Sequence, residues 1–104
     1  MPIEAHADQA TSLLRQLAHD RRLIALCMLM AEGEVTVGTL ATRAGLSQPA
    51  MSQHLQRLRD EGLVATRRAG TAIHYRIADE RVARMIAALH DIFCPAQTTP
   101  REAA

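Results

Sequence analysis

The chain has 104 residues, enough for one domain and too few for two. Its formal net charge is +1, so composition does not mark a globally basic nucleic-acid binder. Tyr75 and Phe93 are the only aromatics, so the core must be aliphatic, which favours helices packed on helices.

The amino terminus, Met-Pro-Ile-Glu-Ala-His, lacks the charged start and apolar core of a secretion signal. The longest apolar run, residues 23–31, falls far below the roughly 18 residues that span a bilayer. A cytoplasmic location without membrane contact is therefore expected. In that compartment a structural disulfide is disfavoured, and Cys27 and Cys94 are either working thiols or core residues.

Leu13, Leu14 and Leu17 place a first helix within residues 5–19. Asp20 is suited to cap a second helix running to Met30, with Leu23, Ile24, Cys27 and the methionines on its apolar side, and Gly33 ends it. Thr36 starts a third helix containing Val37, Leu40 and Ala41, which Gly45 stops. Ser47 caps a fourth, with Pro49 tolerated in its first turn, Met51, Leu55 and Leu58 as its buried stripe, and Gly62 as its terminator. Residues 63–68 and 72–77 read as paired strands turning at Ala69-Gly70-Thr71. Asp79 opens a last helix in which Val82, Ile86, Leu89 and Phe93 recur at steps of four, three and four. After Pro95 nothing remains to bury, and a disordered tail is expected over residues 95–104. The prediction is a mainly α, α+β winged helix in the order ααααββα, forming one domain over residues 1–94.

The third helix, the Gly45-Leu46 joint and the fourth helix make a helix-turn-helix. At about 100° per residue, a stripe of Met51, Leu55 and Leu58 leaves Ser52, Gln53, Gln56 and Arg57 on the opposite side. Gln48 sits at the amino end, where the first turn approaches base edges. Gln pairs bidentately with adenine, and Ser with base or phosphate. Arg67, Arg68 and Arg76 on the hairpin would lie along backbone phosphates. From Arg43 to Arg76 six arginines (Arg43, Arg57, Arg59, Arg67, Arg68 and Arg76) face only Asp60 and Glu61, a local surplus of four positive charges. Glu4, Asp8, Glu32, Glu34 and Asp91 all lie outside that window. The plainer readings are that these polar side chains are only solvated, or that the motif serves a protein-binding module.

The run Ser47-Gln48-x-x-Met51-Ser52-x-His54-Leu55-x-x-Leu58-x-x-x-Gly62-Leu63-Val64, followed by Arg67-Arg68-x-Gly70 and Tyr75, resembles the ArsR/SmtB family of bacterial winged-helix repressors. The likeness extends over residues 13–94. It implies a homodimer joined by its first and last helices, bound to an inverted-repeat double-stranded operator and released by an inducer. In that dimer the reading helices, with Gln48, Ser52, Gln53, His54, Gln56 and Arg57, and the wing, with Arg67 and Arg68, would contact DNA.

Many members of such a family sense metals, but the family's metal motifs are not matched here. The segment Val35-Thr36-Val37-Gly38-Thr39-Leu40 has no Cys-x-Cys, and the Asp79 and His90 surroundings fail the last-helix pattern. No metal site and no cofactor are expected. On residues alone Cys27 reads as a core thiol within an aliphatic run. Cys94, at a helix end before proline, has less reason to be cysteine. The positions of the two within Leu26-Cys27-Met28 and Phe93-Cys94-Pro95 are similar to the thiol pair of the sulfide- and persulfide-responsive subgroup. That resemblance implies release from DNA when persulfide bridges the two thiols through a disulfide or a longer sulfur chain. A thiophilic ion such as arsenite, or a general oxidant, acting on the same thiols is the alternative. A thiol oxidoreductase is disfavoured, since no Cys-x-x-Cys is present.

Overall fold

The centre of the molecule is the second helix, whose Ala25, Leu26 and Leu29 are buried among every other layer. The computed structural model describes residues 2–94; the tail expected over residues 95–104 lies outside them. A short 3-10 helix, Ile3–His6, leads into α1 (Ala7–Leu17) and α2 (Asp20–Glu32). A two-residue strand β1 (Val35–Thr36) precedes α3 (Val37–Ala44) and α4 (Gln48–Asp60). The hairpin of β2 (Val64–Ala69) and β3 (Ala72–Ile77) follows, and α5 (Glu80–Phe93) closes the fold. The order is that of a winged helix-turn-helix, as the sequence predicts, with β1 as an addition.

β1 pairs antiparallel with β3, aligning Val35 with Tyr75, so the sheet has three strands in the order β1-β3-β2. Two residues are too few for the alternation that marks a strand in sequence. Tyr75 and Val64 face the helices and are buried. The hairpin closes on Gly70 with φ 63°, a left-handed conformation that glycine adopts without steric penalty.

The caps follow local chemistry. The Ser47 hydroxyl accepts from the Ala50 amide at 3.2 Å, and Asp79 accepts from the Arg81 amide at 2.7 Å. Thr36 caps α3 by accepting from the Thr39 amide. At α2 the expectation is corrected: His19, not Asp20, is the cap, its Nδ1 accepting from the Arg21 amide at 3.2 Å. Gly33 (φ 87°) then turns the chain out of α2 towards β1.

The core is aliphatic throughout: Leu26, Leu29, Leu40, Met51, Leu55, Leu58, Val82 and Ile86 are completely enclosed. Among the described residues no polar or charged side chain is buried. The α5 stripe divides along its length. Val82 and Ile86 belong to the core and Leu89 is half-buried, whereas Ile92 is 65% and Phe93 76% exposed. Leu55 joins the reading helix to that core, so Leu55→Ala should lower unfolding free energy by about 2–5 kcal/mol in urea denaturation.

Candidate DNA interface and thiol pair

α3, the turn at Gly45 and α4 are held as a unit: the Leu46 amide returns to the Ala41 carbonyl at 2.9 Å. Gly45 takes φ 71° there, closing α3 with a left-handed residue. Because Met51, Leu55 and Leu58 all point inward, the rotation of α4 is fixed. Gln48, Gln53, Gln56 and Arg57 are exposed on its far side. The Gln56 amide already donates to Asp60 at 2.8 Å, whereas Gln53 makes no hydrogen bond among the described residues. Gln53 is therefore the free amide at the middle of the outward face. The amino-terminal end of the α4 dipole, at Ser47, adds partial positive charge on the same side of the helix.

Two residues sit differently from the sequence-based picture. Ser52 is half-buried on one flank of α4 rather than opposite the core. His54 lies on the other flank, turned towards the scaffold. Its ring centroid is 4.4 Å from that of His19, and its Nδ1 accepts from Arg22 Nε at 3.2 Å. Arg22 also donates to the Gln16 carbonyl and side-chain oxygens at 3.1 and 3.2 Å. This Gln16–Arg22–His54–His19 junction ties α4 to α2 and α1, and sequence reasoning did not find it. The helical angle gave a hint, because His54 falls about 60° from the buried stripe, at its edge.

In the wing, strand register sorts the arginines. Arg67 pairs with His74 and Ala65 with Arg76, so Arg67, His74 and Arg76 share one face of the hairpin. Arg68 pairs with Ile73 and shares the other face with Thr66 and Tyr75. Arg67, Arg68 and Arg76 are all exposed. Arg67 is also engaged by Glu34, its Nη2 donating to Oε1 at 2.8 Å and its Nε to both carboxylate oxygens at 3.1 and 3.2 Å.

The thiols come to one side of the molecule. Cys27 is exposed on the outer face of α2, away from Leu26 and Leu29, so the core reading of that residue is corrected. The aliphatic run hides this, because such a stretch in a central helix still has one face that its own chain does not cover. Cys94, half-exposed, ends α5 with its amide bonded to the His90 carbonyl at 2.8 Å. Between α2 and α5 runs a mostly apolar groove of about 300 Å³ lined by Cys27, Met30, Ala31, Ile86, Ala87, His90 and Asp91. Partial desolvation beside this groove, and then the charge of the nearby Cys94, push the Cys27 thiol above its ordinary range. Less of it is thiolate at neutral pH as a result. Among the described residues no three His, Cys, Asp or Glu side chains converge as a metal site.

A capped reading helix with a free polar face, flanked by an arginine wing, defines a winged helix-turn-helix regulator that binds DNA. Residues 19–66 match the family model described as bacterial regulatory protein, arsR family. The regulator YgaV of Escherichia coli is 43% identical, over 89% of this chain and 94% of its own. Reduced HlyU from Vibrio cholerae superposes with a TM-score of 0.83 at 42% identity, covering 88% of this chain and 96% of that one. The repressor BigR from Xylella fastidiosa gives a TM-score of 0.81 at 41% identity, covering 88% and 93%. The chain belongs to the arsR family: it is a DNA-binding transcriptional regulator, not an enzyme.

Neutral His54 accepts the Arg22 bond; a protonated ring cannot. Desolvation first, then the electrostatic influence of His19 and Arg22, hold its pKa below the ordinary 6.5, with Asp20 opposing. The unfolded chain then binds this proton at higher pH than the folded one, so the stability contributed by neutral His54 is complete above about pH 6.5 and declines below it. His54→Gln, which keeps an acceptor but does not titrate, should flatten the urea midpoint between about pH 6.5 and 5.5 relative to wild type.

Proposed function

We propose that this regulator is a homodimeric, cytoplasmic repressor that leaves an inverted-repeat operator when reactive sulfur bridges Cys27 and Cys94. The observation that supports the reading is the exposure of Cys27 in the α2–α5 groove, with Cys94 ending α5 near enough for its charge to push the Cys27 thiol up. α2, which carries Cys27, also packs on α3 and β3 of the DNA-reading half and reaches α4 through Arg22. A covalent tie between α2 and α5 therefore acts on the elements that set the position of the reading helices.

Base edges would be read by Gln48, Ser52, Gln53, Gln56 and Arg57, with Gln53 central. Arg67, Arg68 and Arg76 would take phosphates on the two faces of the wing, and His54 would support the reading helix from behind through Arg22. Two copies would present their α4 helices one DNA turn apart, roughly 34 Å. An apolar hollow of about 380 Å³ lined by Leu14, Leu17, Ala18, Leu23, Met85, Ala88 and Leu89 supports pairing through α1 and α5. Leu14, 52% exposed at its rim, is an apolar side chain that a partner would cover.

The chemistry is a two-electron oxidation of the thiol pair. A Cys94 thiolate attacks the sulfane sulfur of a persulfide RSSH, forming Cys94–SSH and releasing RS⁻. The Cys27 thiolate then attacks the Cys94 sulfur, forming the disulfide and expelling HS⁻. Further sulfane sulfur inserted before closure gives a longer bridge. A direct disulfide needs Cα atoms about 4.4–6.8 Å apart, and a polysulfide spans more. BigR from Xylella fastidiosa is a transcriptional repressor, which supports repression as the mode of action. A soft ion such as arsenite on the same two thiols would need a third ligand, which the other subunit would have to supply.

Reduced protein should shift its promoter fragment in a gel, and persulfide should release it, with mass spectrometry showing loss of two hydrogens, alone for a disulfide or together with gain of whole sulfur atoms for a longer bridge. Cys94→Ser should bind with unchanged affinity and stay bound under persulfide; release of that variant, or release of wild type by arsenite or peroxide alone, would overturn the sulfur-bridge reading. Leu14→Glu should sediment as a monomer and lose at least about tenfold in operator affinity, the effect of about 1.4 kcal/mol.

A further inference from the structure

Gly33 turns the chain after α2, and an acid stands on either side of it. Each acid holds an arginine from a different part of the DNA-reading half. Glu32 pairs with Arg43 of α3, the first helix of the helix-turn-helix. Glu34 pairs bidentately with Arg67 of β2, in three hydrogen bonds of 2.8 to 3.2 Å. The Arg67 hydrogen bond first, then the charges of Arg67, His74 and Arg76, hold the Glu34 carboxyl below the usual carboxylate range. Glu34 therefore lies within the field of the whole basic face that the strand register assembles on the wing. This turn pairs two of the six arginines along residues 43–76 with carboxylates.

A carboxylate offers a guanidinium two oxygens in a planar fork, as a phosphate does. We propose that the Glu32-Gly33-Glu34 turn, with Glu34 foremost, is an internal competitor for DNA phosphate that lowers the protein's sequence-independent affinity for duplex. The proposal rests on the DNA-reading assignment above. To reach the backbone, Arg67 gives up Glu34. The freed carboxylate then stays beside the phosphates and either repels them or retains a cation. Fewer ions are released on balance, so binding is weaker and depends less steeply on salt than the arginine number implies. Both partners of this pair are partly exposed, so the competition is modest, about fivefold.

The test measures binding of reduced full-length protein to a random-sequence duplex by anisotropy across a salt series. Glu34→Gln is expected to bind about fivefold more tightly at low salt and to steepen the slope of log affinity against log salt by about one unit. Arg67→Ala in the Glu34→Gln background should remove both gains. Glu4→Gln removes the same charge from a site that pairs with neither arginine, and should change neither quantity. A gain that survives Arg67→Ala, or that Glu4→Gln reproduces, reduces the effect to net charge and overturns the competition. Wild type that binds with a normal salt slope while Glu34→Gln gains nothing overturns the competition and leaves the DNA-reading assignment standing. No binding by any variant at low salt overturns both.

Discussion

The burial of Ala25, Leu26 and Leu29 of α2 against α3, α5 and β3 is the interaction on which the rest of the molecule depends. Full burial of a leucine side chain contributes about 1.5–3 kcal/mol, and these residues sit where all layers meet. One rigid helix thereby acquires several addresses. Its start reaches α4 through Arg22 and His54, its middle exposes Cys27 beside α5, and its end delivers Glu32 and Glu34 to arginines of the helix-turn-helix and wing. One rigid element thus touches both the thiol-bearing groove and the DNA-reading elements.

Charge is organised with the same economy. The chain is nearly neutral overall, yet residues 43–76 hold six of its twelve arginines and only two of its eleven acids. The fold then folds some of that acid back: Glu32 and Glu34 meet Arg43 and Arg67, while Arg68 and Arg76 form no ion pair among the described residues. Exposed pairs of this type contribute little to stability, so their importance lies in what the arginines are free to touch. The thiols follow a related logic. Desolvation and then the charge of Cys94 push the Cys27 thiol up, so little of it is thiolate at neutral pH.

The helical elements and their stops were legible in the sequence because local chemistry decides them. Ser47, Asp79 and Thr36 cap because their short side chains reach amides two or three residues on, and Gly33, Gly45 and Gly70 take left-handed conformations that other residues avoid. The aliphatic stripe of α4 fixed its outward face, and the resemblance of the Ser47-to-Tyr75 run carried the family. Less legible were the flanks. Ser52 and His54 lie at the edge of the stripe, where a helical wheel cannot say whether a neighbouring helix stands alongside. β1 was missed because two residues carry no periodicity.

The sequence by itself determined the order of the longer elements, three of the four helix caps it named and the aliphatic core, since each follows from spacing within one segment. Only the tertiary structure decided that Cys27 is exposed, that it shares a groove with α5, that His54 serves Arg22, and that Glu34 holds Arg67. Those are encounters between residues 32 or more positions apart, set by how helices cross and how strands register. Such distances in space depend on the packing of the whole core, and no local pattern encodes them.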